Sequence, residues 1–335
     1  MIWQKKKLAI FLIIVFLVPI SYYLFKKFID QKKSKLDKVT IAAYHGDSAA
    51  LIYLAKDKGL FRKNGVEVEI KDYSAGKLAV DDLVLDKVDM ATATESVLVS
   101  NSFKNRDLKI VTVISEGSVN RLVARKDHGI KEIDDLRGKK FALTKKSTGE
   151  YYLSQFLYLH NLNFSEIEII DANPSEIVAQ VVNGEVDAGY SWDPYIYEIE
   201  EKIPQKTIIW DTQTYESFYF LLITKNEWIH GHPQCAIKIV KALLEAEKII
   251  NEDEGWLANS LKNNFNYSDE YLKYILGKHQ YYVHLPQGLL VELEDQAFWR
   301  IKNNLTQNKK MPDFLNFIYP YALEAADPLR VGVIR

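Results

Sequence analysis

The sequence predicts an α/β protein built as two similar lobes around a cleft, and three observations predict it. Strand and helix patterns alternate along most of the chain. The phrase Asp86-Lys-Val-Asp-Met-Ala91 returns in a second series as Gly184-Glu-Val-Asp-Ala-Gly189, a partial internal repeat. The run Tyr190-Ser191-Trp192-Asp193-Pro194 sets a large ring and a carboxylate just past the end of a strand pattern. That is where open α/β sheets bind their ligands.

Each element follows from local pattern. Val39 to Tyr44 reads as a strand, and Ser48 is placed to cap a helix that runs to Lys58-Gly59. Val66 to Ile70 alternates strictly, as a strand does. Leu78 to Leu85 is helical, Val88 to Ala91 a short strand, Glu95 to Phe103 helical, and Leu108 to Ile114 an apolar strand. This order implies a mostly parallel sheet covered on both faces. The second series has strands at Lys139 to Thr144, Ile167 to Ile170 and Val186 to Tyr190, with helices at Thr148 to His160 and Pro174 to Val182 between them. Ile208 to Trp210 adds a short strand, and Phe218 to Thr224 is long and apolar enough to carry the chain back to the first lobe. From His230 onward the periodicity is helical: Ala236 to Ile250, Glu254 to Asn264, Asp269 to Leu276, Gly288 to Asn303 and Pro312 to Tyr319. The aromatic face of Tyr271, Tyr274, Tyr281 and Tyr282 in this region is assigned to packing.

Composition narrows the function classes. The 335 residues carry 47% hydrophobic and 26% charged side chains, a globular balance with room for two domains. A formal net charge of −2 gives no basic field for nucleic acid. The single cysteine, Cys235, excludes an intramolecular disulfide framework and a zinc site of several cysteines. No Gly-x-Ser-x-Gly elbow, Walker loop or zinc-protease helix signature occurs, and no catalytic constellation stands out.

The amino terminus has its own logic. Lys5-Lys6-Lys7 precedes an apolar run from Leu8 to Phe25, with no small-x-small cleavage site after it and no cysteine nearby to carry a lipid. Residues 1–25 are therefore expected to be an uncleaved transmembrane anchor rather than a removed signal peptide. Residues 26–38, rich in lysine and without periodicity, read as a tether. The lysines after the span outnumber those before it, which favours a cytoplasmic body by charge alone.

Certain phrases resemble a known family. Tyr53-Leu-Ala-Lys-Asp-Lys-Gly-Leu-Phe61 and Gly65-Val-Glu-Val-Glu69 look like the opening of the nitrate/sulfonate/taurine-type substrate-binding proteins of ABC transporters. Asp134 to Thr148 resembles the start of their second lobe, Val123 to Asp127 the crossover before it, and Trp192-Asp193-Pro194 their cleft signature. The resemblance runs from about Val39 to about Asn303. It implies a class II periplasmic-binding-protein fold, two α/β lobes joined by two crossover strands that close on ligand by a hinge. It places lobe 1 at 39–122 and 220–335 and lobe 2 at 123–219. It also implies export, an ABC permease with its ATPase as partner, a monomer, and no cofactor. Thiamine-pyrimidine-precursor proteins share this fold. Their iron-dependent enzymatic branch has a cysteine cluster that this sequence lacks.

The candidate ligand contacts come from strand ends and helix starts. Tyr44 and His45 follow the first strand, and Tyr73 and Ser74 the second, leading into small residues Ala75-Gly76. Thr92, Thr94 and Glu95 follow the third; Ser147 and Thr148 open a helix of the second lobe; Trp192 and Asp193 end the last strand. Helix starts suit anionic groups. Several have a plainer alternative: a solvated turn at His45, an ordinary capped turn at Tyr73 to Gly76, a helix cap at Thr94, and a buried ring beside a capping carboxylate at Trp192-Asp193. A metal role for His45 has no second histidine at ligand spacing to support it. Arg121 and Arg125 share one face of the crossover strand, and which face meets the cleft is open. Asp47, Glu95, Glu150 and Asp193 all fall near the expected cleft. A buried carboxylate needs a partner, so the expected solute is a small organic molecule carrying nitrogen, an aminosulfonate or aminopyrimidine. Three readings remain: a transport solute-binding protein and a pyrimidine-synthesising enzyme of the same fold, both implied by the resemblance, and a membrane-tethered ligand sensor or presenter, which the expected anchor favours.

Overall fold

The alternation of apolar runs and turn residues resolves into strands β1 (Asp37–Tyr44), β2 (Val66–Tyr73), β3 (Met90–Thr94), β4 (Leu108–Gly117), β5 (Asn120–Arg125), β6 (Lys140–Leu143), β7 (Glu168–Asp171), β8 (Ala188–Trp192), β9 (Thr207–Asp211), β10 (Phe218–Lys225) and β11 (His279–Gln280). They form a six-stranded sheet ordered β11-β4-β10-β3-β1-β2 and a five-stranded sheet ordered β7-β6-β8-β5-β9. The computed structural model describes residues 36–104, 107–213 and 217–334. The expected membrane span at 1–25 lies outside these residues. Among the described residues, no helix is long and apolar enough to cross a membrane. The end of the expected tether is strand instead, since Asp37 and Lys38 belong to β1.

The internal repeat has one structural meaning in both sheets. Asp89 donates its N–H to the Thr40 carbonyl (3.0 Å) and accepts the Thr40 N–H on Oδ2 (2.7 Å). Asp187 does the same with Lys140, at 2.9 Å each way. The repeated Val-Asp thus clamps the start of a neighbouring parallel strand, β1 in one sheet and β6 in the other.

Helices cover the sheets as the buried positions dictate. The helix Ala50–Asp57 has every residue from Ala50 to Ala55 buried, and each large side chain of that set contributes roughly 1.5–3 kcal/mol on removal from water. In the second lobe the helix Pro174–Asn183 lies so close to β8 that a Cβ at Gly189 would stand 2.6 Å from Val181. A smaller core of Val123, Ala142, Ile177, Val181, Ile196 and Ile199 fills that side.

Three expectations need correction. The sheets are mixed rather than mostly parallel. β1–β3, β6–β7 and β6–β8 are parallel, but β10 runs antiparallel to β3 and β4, and β5 runs antiparallel to β8 and β9. A strand arriving from the other lobe enters against the local direction. Ser48 does not cap the first helix; it lies inside a 3₁₀ turn, Asp47–Ala49, whose preceding residue makes no side-chain cap bond. Pro312 to Tyr319 yields only a 3₁₀ turn at Phe314–Phe317, and the α-helix follows at Tyr321–Ala326. β4 is followed by β5 after residues 118–119. Asn120 pairs within the second sheet and Phe218 within the first.

Candidate functional site

The strand ends of the two sheets and the helix starts that follow them face one another across a cavity. Its free volume is about 40 Å³, and part of it is open to solvent. Its wall is formed by Tyr44, Ser48, Ala75, Gly76, Lys77, Thr94, Val97, Val119, Asn120, Ser147, Thr148, Trp192, Phe218 and Phe220. Tyr44, Thr94, Ser147, Thr148 and Trp192 were expected from the sequence.

The polar part of the wall is made of helix starts. Gly76 and Lys77 open the helix Gly76–Val84, and Thr94 precedes the helix Glu95–Ser102; neither helix has a side-chain cap. Their first N–H groups are left for water or a ligand. Gly76 is required for the approach: a Cβ there would lie 2.7 Å from the Ala93 Cα. Across the cavity Ser147 caps the helix Thr148–Leu159, its Oγ accepting from Gly149 N at 3.1 Å and donating to the Thr144 carbonyl at 2.6 Å. Thr148 Oγ1 donates to Asn120 Oδ1 at 3.1 Å. The Lys77 ammonium and the hydroxyls of Ser48 and Thr94 take no partner from the described residues.

The apolar part of the wall is aromatic. Phe218 and Phe220, two apart on β10, share a face, as strand periodicity demands. Trp192 donates Nε1–H to Tyr44 Oη at 3.0 Å, with the rings edge to face at 6.4 Å. Burial holds the Tyr44 phenol far above its ordinary range, so it stays neutral and keeps a proton to donate. The bond also joins the lobes, as does Tyr195 Oη donating to the Ser74 carbonyl at 3.2 Å.

The other expected residues stand outside this wall, each for a visible reason. Thr92 is fully buried and its Oγ1 accepts the Tyr44 N–H at 2.9 Å, fixing the ring that does face the cavity. Tyr73 Oη donates to Asp82 at 2.6 Å. Ser74 contributes its carbonyl to Tyr195. His45 is partly exposed and sits with Asp72 (3.4 Å), Tyr53 and Phe265. Glu95 accepts from Tyr219 N and Gln296 Nε2, both at 2.8 Å. Burial, and then the nearby Glu292, push its pKa up to about 8.

Asp193 is the capping carboxylate of the plainer reading. It is fully buried and pairs with Arg121. It also accepts from Tyr274 Oη at 2.9 Å and Tyr197 N at 3.2 Å. Burial pulls the Arg121 guanidinium down, but Asp193 more than offsets this and holds its pKa above the usual value. Arg125 turns to Asp127 and to the carbonyls of Val181 and Val182. Neither arginine reaches the cavity wall.

This arrangement removes the reason for expecting nitrogen in the solute. Asp47 accepts from Ser48 N (2.9 Å) and faces Tyr271 and His279. Glu150 accepts from Lys146 N and Arg300. Glu95 and Asp193 are engaged as described. Among the described residues no carboxylate lines the cavity, while a lysine and uncapped helix starts do. Ser48, Lys77, Asn120, Phe218 and Phe220 were not anticipated. Ser48 and Lys77 obey the same strand-end logic as their neighbours. The two phenylalanines carried a usable signal in the alternation along β10.

The model of the family described as NMT1/THI5 like matches residues 47–253. A protein of Brucella abortus (strain 2308), named as a binding protein, is 26% identical over 210 residues, 62% of this chain and 64% of that one. One of Bacillus subtilis (strain 168), named as an aliphatic sulfonates-binding protein, is 27% identical over 206 residues, 59% and 61% of the two chains. The matches thus span a little under two thirds of these relatives. The alkanesulfonate-binding protein SsuA from Xanthomonas axonopodis pv. citri, bound to MOPS, superposes with a TM-score of 0.73 at 15% identity, covering 85% of this chain and 99% of that one. The two-lobed fold is therefore shared.

Proposed function

The chain belongs to the NMT1/THI5-like family, and from that premise we propose that it is the solute-binding protein of an ABC importer. Its solute is a small organic anion of the sulfonate kind, held in the cavity between the lobes and released unchanged to a membrane permease. The carrying observation is the cavity wall: helix starts from both lobes and the unpaired Lys77 at one part, aromatic and aliphatic side chains at the other, and no acidic side chain. An oxyanion head suits the N–H groups and the ammonium. An apolar tail suits Tyr44, Trp192, Phe218 and Phe220, and a bare inorganic anion leaves that surface without a partner. A solute ammonium finds no carboxylate to replace its hydration.

Work on the body outside the cytoplasmic membrane follows from this role. Residues 1–25 would then be its anchor. The named relatives support the reading by what they are said to bind.

Calorimetry of the full-length chain with butanesulfonate, benzenesulfonate, taurine, an aminopyrimidine, sulfate and nitrate tests it. Tightest binding is expected for the first two. Binding of the aminopyrimidine with none of the sulfonates would overturn the anionic reading, and a preference for nitrate or sulfate would overturn the organic one.

A further inference from the structure

We propose that Arg300 is a positioning residue for the solute. From the first lobe it fixes, through Glu150, the Lys146–Thr148 turn of the second lobe, which forms part of the cavity wall. The inference rests on the solute-binding reading for what is held there.

Glu150 is the pivot. Its Oε2 accepts Arg300 Nη1–H at 3.0 Å and the Lys146 backbone N–H at 2.9 Å. Both side chains of the ion pair are only 6% exposed. One carboxylate oxygen therefore serves a partner in each lobe. Lys146 holds φ at 61°, a left-handed conformation that a residue with a side chain adopts only at a cost, so the turn depends on bonds that hold it. The Lys146 carbonyl accepts from Ser100 Oγ of the first lobe at 3.4 Å. Ser147 and Thr148, the next two residues, line the cavity.

The same pair of helices meets again one turn on. Trp299 Nε1 donates to Ser154 Oγ at 3.0 Å, and Trp299 stands edge-on to Tyr151 at 5.4 Å. Arg300 is itself anchored within its lobe, since Gln296 on the helix Gln287–Lys302 bonds to Ser96 and Glu95. Glu95 in turn accepts the Tyr219 N–H at the start of the strand that returns from the second lobe. Separation of the lobes strips Arg300 from Glu150 and leaves the turn with one support fewer. Closure restores both together, so the grip on a solute and the closed state reinforce each other.

The test uses the full-length chain with butanesulfonate as probe and rapid mixing followed by tryptophan fluorescence. Nitroxide labels at the exposed positions Asp81 and Glu201, one on each lobe, report separation. Arg300→Met is expected to raise Kd about tenfold or more, chiefly through faster release, and to lengthen the label distance without solute. Arg300→Lys, which keeps the charge, recovers part of both. The exchange Glu150→Arg with Arg300→Glu restores the distance but not the affinity, because an arginine at 150 cannot accept from Lys146 N. Unchanged affinity in Arg300→Met, or full affinity in the exchange, would overturn the positioning role. If the native chain binds no butanesulfonate, the proposed sulfonate function fails and the positioning role falls with it. The label distances then report separately whether Arg300 ties the lobes.

Discussion

Neighbouring residues at the end of β8 divide two tasks. Trp192 faces the cavity, and Asp193, one position on, turns away into a buried ion pair with Arg121. Replacing Trp192 by Ala is expected to weaken butanesulfonate binding by about 1–3 kcal/mol through lost packing, and by less in Trp192→Phe, which keeps an aromatic ring but loses the bond to Tyr44 and part of the indole's area. Calorimetry decides, and an unaltered affinity in the alanine variant removes Trp192 from the pocket. Glu95 makes a different prediction. Its pKa is pushed up from 4.5 to about 8, so the folded chain keeps a proton that the unfolded chain has already released. Its contribution to stability is complete below pH 4.5 and declines as pH rises through about 8. The melting temperature should fall more from pH 5 to pH 8 in the native chain than in Glu95→Gln. Parallel falls in the two would show that Glu95 is not the source.

At the scale of elements, the cavity is made by helix starts delivered to strand ends, and the spacing between strand and helix is the controlling quantity. The helix Gly76–Val84 can present its uncapped N–H groups only because Gly76 allows close approach to β3. Gly76→Ala places a Cβ against Ala93 and should cost about 1–3 kcal/mol of stability by overpacking, with a loss of solute affinity as the helix start is displaced. Denaturant unfolding and calorimetry on the same variant check both effects. Retained affinity with lowered stability would show that this helix start does not serve the solute. The element patterns were readable because burial imposes period on sequence. At Pro312 to Tyr319 the apolar Phe314, Phe317 and Ile318 are buried as the spacing requires, but an i, i+3 stripe suits a 3₁₀ turn as well as an α-helix, and the turn is what forms.

For the whole molecule, the two sheets are joined by two passages of chain and held together across the cavity by polar contacts that no single lobe contains. Tyr274 of the first lobe donates to Asp193 of the second at 2.9 Å, and its ring lies beside the Arg121 guanidinium, 5.2 Å from the centroid. Burial and Asp193 keep its phenol protonated by raising its pKa. Tyr274→Phe removes a hydrogen bond to a charged group that exists only with the lobes together, a loss of about 1.5–3 kcal/mol. Stopped-flow release of butanesulfonate should be correspondingly faster, while thermal unfolding moves little. An unchanged release rate would mean that this contact does not hold the closed form. The aromatic face assigned to packing thus packs and also joins the lobes.

The sequence by itself determined the alternation of strands and helices, the internal repeat whose aspartates clamp β1 and β6, the two-lobed fold, and the strand ends from which a cavity would be built. These are local consequences of period, turn chemistry and helix starts, and they need no knowledge of distant partners. Which carboxylates are free, which face Arg121 presents, and the position of Phe218 and Phe220 were decided only by tertiary structure. A charge near a cleft in sequence is satisfied by whatever lies across it, and those partners, Arg300 for Glu150, Gln296 for Glu95 and Tyr274 for Asp193, come from far along the chain. Burial makes such pairing compulsory, and only the packed lobes say who pairs with whom.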